Sequence, residues 1–374
     1  MSTVSRVLMT TDTLGGVWTY AIELARALGG SGIEIALASM GARTSREQRA
    51  QLRALAHVHL FESGYRLEWM QDCWHDVARA GEWLQQIAAR VRPDCVHLNG
   101  YAHGVLPLGA PVVMVGHSCV LSWWRAVKGQ PAPDHCDHYA DAASRGLRAA
   151  RVVVAPTHAM LAALQRHYGP FGDARVIANA VDACNVAHAR KQPLILCAGR
   201  LWDEGKNVRV LAELAPRLPW AVMIAGGDQP PPGVRGGAPM PPGVHTLGPL
   251  PRHVLAGWFA RAAIYALPAR YEPFGLSVLE AALSGCALVL GDIPSLRENW
   301  SGAALFVPPG DRAALQAALL QLIRAPEKRH ALVRQSLLRA RAFAPEKMAA
   351  AYLRAYTDAQ IIERRELEEN SACA

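Results

Sequence analysis

The chain alternates between short apolar runs and longer stretches whose apolar residues recur at helical spacing. The runs 6–10, 33–38 and 94–98 predict buried strands, and the stretches 17–28 and 80–91 predict helices. Strands that alternate with helices are typical of parallel sheets that carry helices on both faces. The sequence therefore predicts an α/β protein built on doubly wound parallel sheets.

The alternation stops once and then begins again. The segment 182–193 is polar and irregular, and a further series of strands and helices starts at 194–198. A length of 374 residues also suits two or three domains. We therefore predict two doubly wound, Rossmann-like domains, over 1–180 and 190–345, that face each other across a cleft.

The composition excludes several classes of protein. Hydrophobic residues make up 51% of the chain and charged residues 19%, so the chain can bury sizeable cores and is not mainly disordered. No apolar run reaches the roughly 18 residues of a membrane-spanning helix, and the N-terminus lacks the pattern of a secretion signal. Eight cysteines without a CxxC pair do not indicate a disulfide framework. We expect a soluble, cytoplasmic protein.

The net charge of +8 bears on the binding partners. The basic residues are scattered, with clusters at 43–53 and 334–341. Such a balance suits nucleic acid, an anionic membrane surface or phosphorylated ligands. Because the chain has neither interleaved aromatic residues nor a nucleic-acid-binding module, we expect no nucleic acid partner. Peripheral association with a membrane stays open.

The run RYEPFGLSVLEA at 270–281 carries the most information about function. It follows a predicted strand and opens a predicted helix, which is where doubly wound sheets bind their ligands. The helix N-terminus offers N–H groups to an anion, and Gly275 would let that anion approach the backbone. Glu272 and Glu280 would lie roughly 80° apart on one helix. We therefore expect Glu272 in the loop and Glu280 in the first helical turn, both facing the crevice.

Glu280 also has a purely structural interpretation. Ser277 and Glu280 have the spacing of a capping box, in which the glutamate side chain would only accept a hydrogen bond from the Ser277 N–H. The sequence of this run alone leaves both interpretations open.

Two cations lie ahead of this run in the chain. Arg200 follows the predicted strand 194–198, and Lys206 lies just before the next predicted helix. At the carboxyl end of a parallel strand, an arginine can bind a diphosphate in a bidentate manner and a lysine can bind it as a point charge. Most lone basic residues in loops are merely solvated, but a pair at this position, facing Glu272 and Glu280, predicts a diphosphate site.

With these motifs the chain resembles the retaining nucleotide-sugar glycosyltransferases of the GT-B fold, which are similar to glycosyltransferase family 4 and include glycogen synthases, sucrose synthases and bacterial mannosyltransferases. The Glu-x7-Glu element with its Pro-Phe-Gly is highly specific, whereas the other matching positions are individually weak. The positions that carry the resemblance span nearly the whole chain: Gly15-Gly16, His117, 179–182, 199–201, Lys206-Asn207, 272–276 and Glu280.

The resemblance implies a function for the matching residues. Glu272 and His117 would contact the transferred sugar, Glu280 would bind the ribose hydroxyls, and Arg200 and Lys206 would bind the diphosphate. The implied catalytic residues are His117, Glu272, Arg200 and Lys206. The implied donor-binding positions are Gly15, Gly16, Arg200, Lys206, Phe274, Gly275, Leu276, Ser277 and Glu280.

The resemblance also implies where each substrate binds. The domain over 1–180 would hold the acceptor, with the C-terminal segment 348–374 packed back on it, and the second domain would hold the nucleotide sugar. Transfer would retain the anomeric configuration with the departing phosphate as base, so no cofactor is needed besides this co-substrate. The acceptor would be a saccharide, a lipid-linked sugar or a small molecule. Trp123, Trp124 and Arg125 either line its site or belong to a core.

Two positions depart from the family pattern. Ala180 stands where the family usually has glycine, so the local turn is expected to differ. The segment 229–243, which holds six prolines and four glycines, predicts a loop where a helical connection is common near the nucleotide base. The base preference therefore stays open.

We expect catalysis without a metal ion. Metal-dependent sugar transfer typically uses an Asp-x-Asp pair to hold the ion, and no aspartate of this chain has another two positions away. The run from His135 to His138 has the residue types of metal ligands, but adjacent ligands rarely converge on one ion.

Other functions compete with glycosyl transfer. A dehydrogenase would need G-x-G-x-x-G at the first βα turn and an acidic residue about twenty positions later, and neither is present. A glycoside hydrolase would use two carboxylates but would leave the cations without a role. A non-catalytic sugar-nucleotide binder, or a GT-B epimerase acting on the nucleotide sugar, would carry the same motifs and stays open.

Overall fold

The computed structural model describes residues 4–183, 187, 189–230, 234, 240–241 and 244–372, with the backbone only at 370 and 372. The chain forms two compact units. Unit 1 comprises Met1–Ser122, Pro131–Asn179 and Pro345–Ala374. Unit 2 comprises Trp123–Gln130 and Ala180–Ala344.

Each unit is built on one sheet in which all the described strands are parallel. The strands of unit 1 are β1 (Arg6–Asp12), β2 (Glu34–Met40), β3 (Val58–Glu62), β4 (Cys95–Leu98), β5 (Val112–Val115), β6 (Val152–Ala155) and β7 (Ala174–Val176). The strands of unit 2 are β8 (Gln192–Ala198), β9 (Ala221–Ala225), β10 (His245–Gly248), β11 (Ala262–Leu267), β12 (Ala287–Gly291) and β13 (Ala304–Val307).

The α-helices of the described residues connect these strands and complete the chain. They are α1 (Gly16–Gly29), α2 (Arg46–Arg53), α3 (Trp74–Val91), α4 (Val120–Lys128), α5 (Asp137–Ala149), α6 (His158–Tyr168), α7 (Val208–Leu214), α8 (Arg252–Arg261), α9 (Leu276–Leu283), α10 (Pro294–Trp300), α11 (Arg312–Arg324), α12 (Pro326–Ala340) and α13 (Pro345–Ala372).

The strand order gives each sheet a point where the winding reverses. The order is β3-β2-β1-β4-β5-β6-β7 in unit 1 and β10-β9-β8-β11-β12-β13 in unit 2. The reversal lies between β1 and β4 in the first sheet and between β8 and β11 in the second. Ligands of doubly wound sheets bind beyond the carboxyl ends of the strands at this point. The predicted α/β class with two doubly wound sheets is confirmed.

The inner strands form the cores of the two units. Every residue of β5, β6, β11 and β12 is buried, which is the pattern of parallel strands covered by helices on both faces. Because such strands read as short continuous apolar runs, the sequence predicts all four of them, at 111–115, 151–155, 264–267 and 287–290.

The C-terminal helix α13 belongs to unit 1 and packs against α1, β4 and β5. Gln360 Nε2 donates a hydrogen bond to the Asp94 carbonyl oxygen at 3.1 Å. Asp358 forms an ion pair with Arg175 at 2.8 Å. The helix begins three residues before the predicted segment 348–374, at Pro345.

The segment Trp123–Gln130 belongs to unit 2, which corrects its predicted place inside the first domain. The indole Nε1 of Trp123 donates a hydrogen bond to Asp203 Oδ1 at 3.1 Å. Lys128 pairs with Glu204 at 2.6 Å. The chain order alone could not reveal these contacts, because they join residues nearly eighty positions apart.

Two further observations concern the limits of the fold. Within the described ranges no helix is both long enough and apolar enough to cross a lipid bilayer. The predicted loop 229–243 lies mostly outside the described residues, as do part of the predicted segment 182–193, residues 1–3 of the predicted first domain and residues 373–374 of the predicted C-terminal segment.

Candidate functional site

Two loops meet at the reversal point of the sheet in unit 2. One follows β8 and contains Arg200 and Lys206, and the other follows β11 and leads to α9. The backbone N–H groups of Arg270 and Tyr271 both donate to the Gly205 carbonyl oxygen, at 2.8 and 3.1 Å. The first loop is thereby fixed against the second at the edge of the sheet where a ligand is expected.

Lys206 and Glu272 form an ion pair across these loops. Lys206 Nζ lies 2.5 Å from Glu272 Oε2, and only 15% and 11% of the two side chains are exposed. The sequence assigns the two residues to different parts of one ligand, the diphosphate and the sugar. The structure brings them together and pairs them with each other.

Arg200 lies at the more open side of the first loop. Its Nη2 pairs with Asp203 Oδ2 at 2.8 Å, and its guanidinium lies over the Trp202 ring at 5.0 Å. The Arg200 side chain is 42% exposed, whereas that of Asp203 is 7% exposed. The guanidinium is therefore positioned by Asp203 and Trp202, while a large part of the arginine side chain stays accessible to solvent.

Asp203 is a residue of this site that the sequence did not single out. Its Oδ1 accepts hydrogen bonds from the Gly205 N–H and from Trp123 Nε1, at 2.9 and 3.1 Å. Burial raises the pKa of this carboxyl, but the charges of Arg200 and Lys206 and these hydrogen bonds outweigh burial, so the pKa lies below its ordinary value. An ionised Asp203 orders the loop that carries both cations. Its position in the sequence between Arg200 and Lys206 could have indicated that Asp203 belongs to this site.

The start of α9 lies beside this ion pair. Gly275 precedes the helix with φ of +90°, a conformation that favours glycine. A Cβ at Gly275 would lie 3.0 Å from Val278 Cγ2, so a side chain there would also crowd the first turn of the helix. The Phe274 ring is buried and meets the Phe343 ring edge-to-face at 5.4 Å. Any ligand contact at Phe274 would therefore come from its backbone, while Leu276 is partly exposed.

The structure excludes the capping-box interpretation of Glu280. The helix begins at Leu276, so Ser277 is already helical and cannot be the N-cap. Ser277 Oγ instead lies 2.8 Å from the Tyr265 hydroxyl. Glu280 is in the second turn rather than the predicted first, and its Oε1 pairs with Arg252 Nε at 3.4 Å. Arg252 is a second site residue that the sequence did not indicate.

The predicted residues of unit 1 lie at the carboxyl edge of its own sheet. Gly15, with φ of +144°, ends the loop between β1 and α1, Gly16 is the first residue of α1, and both glycines are exposed. One turn into α1, the Tyr20 ring contacts the His117 ring edge-on, with the centroids 4.3 Å apart. The structure therefore groups His117 with the helix that follows the glycine turn.

Asn99 fixes the protonation of His117. Asn99 Nδ2 donates to the Thr10 carbonyl oxygen at 2.6 Å, so its Oδ1 must be the atom that faces His117 Nε2 at 2.8 Å. An amide oxygen only accepts, and His117 is therefore protonated on Nε2. Burial, and then the neighbouring His97, lower the pKa of His117 from 6.5 to about 3. The ring is neutral near pH 7. Asn99 follows β4 as His117 follows β5, a correspondence that the sequence analysis missed.

His97 lies deeper in the same cluster. Its Nδ1 lies 2.7 Å from the Tyr356 hydroxyl of α13, and its side chain is fully buried. Burial lowers the pKa of His97 from 6.5 to about 3 despite its hydrogen bond to Asn99. The folded state keeps this ring neutral. The contribution of the buried neutral ring to the free energy of unfolding is therefore complete above pH 6.5, and it is lost as the pH falls from there toward 3.

We expect His97→Gln to reduce the acid sensitivity of unit 1. Below about pH 6 the unfolded wild-type chain binds one proton more at this position, which costs about 1.4 kcal/mol of stability per pH unit. The variant lacks that proton. Thermal unfolding midpoints between pH 7.5 and 4.5 should fall less steeply for His97→Gln than for wild type, whatever their absolute level. Parallel curves for the two proteins would contradict a neutral His97.

The described residues offer no cluster of three or more histidine, cysteine, aspartate or glutamate side chains that could hold a metal ion. In the run from His135 to His138, the His138 ring stacks on Trp74 with the centroids 3.8 Å apart. Metal-independent catalysis stays a prediction.

Known proteins match both halves of the chain. A family model described as glycosyl transferases group 1 matches residues 192–325, and one described as glycosyltransferase family 4 matches residues 14–184. O-antigen chain mannosyltransferase B of Escherichia coli is 32% identical over 98 residues, which are 26% of this chain and 26% of that protein. D-inositol 3-phosphate glycosyltransferase of Frankia alni is 32% identical over 111 residues, 29% of this chain and 27% of that protein. The matches span about a quarter of each relative.

Solved structures with the same fold cover nearly the whole chain. Sucrose-phosphate synthase of Thermosynechococcus elongatus superposes with a TM-score of 0.77 at 18% identity, over 94% of this chain and 98% of that one. HepE of Anabaena, solved in complex with UDP-glucose, gives a TM-score of 0.74 at 16% identity over 94% and 99%. WaaG, a glycosyltransferase involved in lipopolysaccharide biosynthesis, gives 0.70 at 14% identity over 94% and 99%. These similarities establish the GT-B fold.

Proposed function

We propose that this chain, which belongs to the GT-B glycosyltransferases of the family 4 type, transfers a sugar from a nucleoside-diphosphate sugar to a hydroxyl acceptor. The observation that carries the proposal is the ion pair between Lys206 and Glu272, which lies beside Arg200 at the reversal point of the sheet in unit 2. A diphosphate needs cations, and ribose and sugar hydroxyls need acceptors. The site offers both at one sheet edge.

The donor is proposed to bind with its diphosphate at Arg200 and Lys206. Arg200 presents a planar fork of N–H donors to the phosphate oxygens, and Lys206 supplies a point charge. Glu280 accepts hydrogen bonds from the ribose hydroxyls, and Arg252 beside it keeps that carboxylate oriented. Glu272 accepts from hydroxyls of the transferred sugar.

The transfer reaction replaces one bond of the anomeric carbon with another. The bond between that carbon and the phosphate oxygen breaks, and the acceptor hydroxyl oxygen forms the new bond on the same face. The departing phosphate takes the hydroxyl proton, so no side chain is assigned as general base. The two cations stabilise the charge that develops on the leaving group. His117 is proposed to contact the transferred sugar as a neutral ring.

Retention of configuration and the absence of a further cofactor belong to this proposal and rest on the resemblance to the family. Independence of metal ions also belongs to it and rests on the lack of an Asp-x-Asp pair in the sequence. The acceptor is a saccharide, a lipid-linked sugar or a small molecule. Release of free nucleoside diphosphate that requires added acceptor supports a transferase. No release with any acceptor would instead support a binder or an enzyme that acts on the nucleotide sugar without transferring the sugar, and equal release with and without acceptor would mean that the sugar goes to water.

Glu280→Gln should weaken the binding of the nucleotide by about tenfold. A glutamine side chain keeps the shape but loses the charge that strengthens hydrogen bonds from hydroxyls. Calorimetric titration with UDP, GDP and ADP measures the effect, and UDP is the first choice because HepE was solved with UDP-glucose. Glu327→Gln on the exposed start of α12 is the matched control. Equal affinities for the two variants would remove Glu280 from the nucleotide site.

A further inference from the structure

The ion pair between Lys206 and Glu272 has a consequence for which ligand the site prefers. We propose that this pair makes the free nucleoside diphosphate a weaker ligand than the intact nucleotide sugar. Both ligands give Lys206 a phosphate in place of Glu272, but only the sugar of the intact donor gives Glu272 a new partner in place of Lys206. This inference rests on the proposed function, since it assigns the diphosphate to Lys206 and the sugar to Glu272.

The geometry of the pair sets up a competition for Lys206. Its Nζ lies 2.5 Å from Glu272 Oε2, so a phosphate oxygen that contacts the ammonium at a similar distance must displace the carboxylate or share the cation with it. The ammonium has three N–H donors but a single positive charge, so a phosphate and the carboxylate that both contact it share that charge.

The burial of Glu272 makes the displaced state unfavourable. Only 11% of the Glu272 side chain is exposed, so little water can solvate the carboxylate when the Lys206 ammonium pairs with a phosphate instead. Removing one partner of a largely buried ion pair leaves an uncompensated charge, which costs much more than breaking a surface pair. Asp203 does not relieve this cost, because it is a second carboxylate near the same cation.

The transferred sugar supplies what the diphosphate lacks. Its hydroxyls donate hydrogen bonds to the displaced Glu272 carboxylate, so the intact donor compensates both members of the pair. After transfer the sugar leaves with the acceptor, and Glu272 again competes with the phosphate for Lys206. The same pair would then favour release of the nucleotide product.

The test compares free nucleotide with nucleotide sugar in Glu272→Gln. Calorimetry would measure the Kd of UDP and of UDP-glucose, with GDP and GDP-mannose as the second pair of probes. We expect Glu272→Gln to bind the free diphosphate about tenfold more tightly than wild type, a change of about 1.4 kcal/mol. The affinity for the nucleotide sugar should stay the same or fall. The Kd of the free diphosphate divided by the Kd of the nucleotide sugar should therefore be at least about tenfold smaller in the variant than in wild type.

Glu204→Gln is the matched control for the change in charge. Glu204 lies two positions before Lys206, but its side chain is 43% exposed and pairs with Lys128. Removing its charge should leave both constants nearly unchanged. Glu272→Ala removes the same carboxylate but leaves a smaller side chain. An effect shared by both Glu272 variants therefore comes from the loss of the carboxylate, and thermal unfolding would detect a folding defect in either of them.

Two outcomes separate the inference from the function on which it rests. If wild type binds a free diphosphate and both Glu272 variants bind it equally or more weakly, the competition is refuted while the nucleotide site stands. If wild type binds none of the nucleotides or nucleotide sugars, the proposed function itself is wrong.

Discussion

Lys206→Ala should lower the rate of sugar transfer by about a hundredfold or more, the largest effect expected for any single substitution in the site. Negative charge builds on the diphosphate as the bond to the sugar breaks, and Lys206 is the least exposed cation beside the expected position of that charge. A cation shielded from water acts through a lower effective dielectric and stabilises developing charge more strongly. Arg200→Ala should also reduce the rate severely, although its 42% exposure makes its charge easier for water to replace.

The measurement is the initial rate of nucleotide release in the presence of acceptor. Lys328→Ala on exposed α12 removes the same charge away from the site and should leave the rate unchanged. Chelation by EDTA should also leave the wild-type rate intact, because the proposed charges belong to side chains. Activity that is lost in EDTA and restored by Mg²⁺ or Mn²⁺ would show that the two cations are insufficient.

The sequence predicted the inner strands of both sheets but none of the outermost strands. The missed strands are β3, β7, β10 and β13, which are the outermost of each sheet. No residue of β3, β7 or β10 is fully buried, and in β13 only the last residue, Val307, is buried. An outermost strand has a neighbour on one side only, so it does not need the continuous apolar run that identifies a strand buried on both faces.

The chemical types in the site could be predicted, whereas their partners could not. Arg200, Lys206 and Glu272 were identified because strand ends and helix starts mark a sheet edge in the sequence. That Lys206 pairs with Glu272 depends on how two loops 66 positions apart pack, which no local pattern encodes. The same holds for Arg252 beside Glu280.

For Gly275 the sequence analysis gave only part of the reason why a glycine stands at this position. The sequence analysis attributed the glycine to close approach of a ligand. In the structure its φ of +90° and the nearby Val278 side chain already require glycine. Backbone conformation at a single residue is set by the packing of the following helix, and the sequence pattern of a loop and helix start does not distinguish that cause from a bound ligand.

Gly226 controls the loop that carries Arg200, although no motif marks it. It follows β9 with φ of +143°, and a Cβ built on it would lie 1.7 Å from the Gly199 carbonyl oxygen. The two loops continue the pairing of β8 and β9, since the Gly199 N–H donates to Ala225 O at 3.0 Å and the Leu201 N–H donates to Gly227 O at 2.9 Å. Backbone atoms cannot rotate away as the end of a side chain can, so the strand ends themselves would have to separate.

Gly226→Ala should therefore destabilise unit 2 and displace Arg200 together. A strained φ and an overlap with backbone each cost about 1–3 kcal/mol, so together about 2–6 kcal/mol, which would lower the unfolding midpoint of unit 2 by roughly 4–24 °C and depress transfer in the protein that remains folded. Gly227→Ala is the matched control: a Cβ there meets nothing within 4 Å, and its backbone needs no positive φ. Differential scanning calorimetry and the transfer assay compare the two variants directly. Equal midpoints and equal rates for both would mean that the Gly199 loop yields without cost, and that the contact with Gly226 does not hold Arg200 in place.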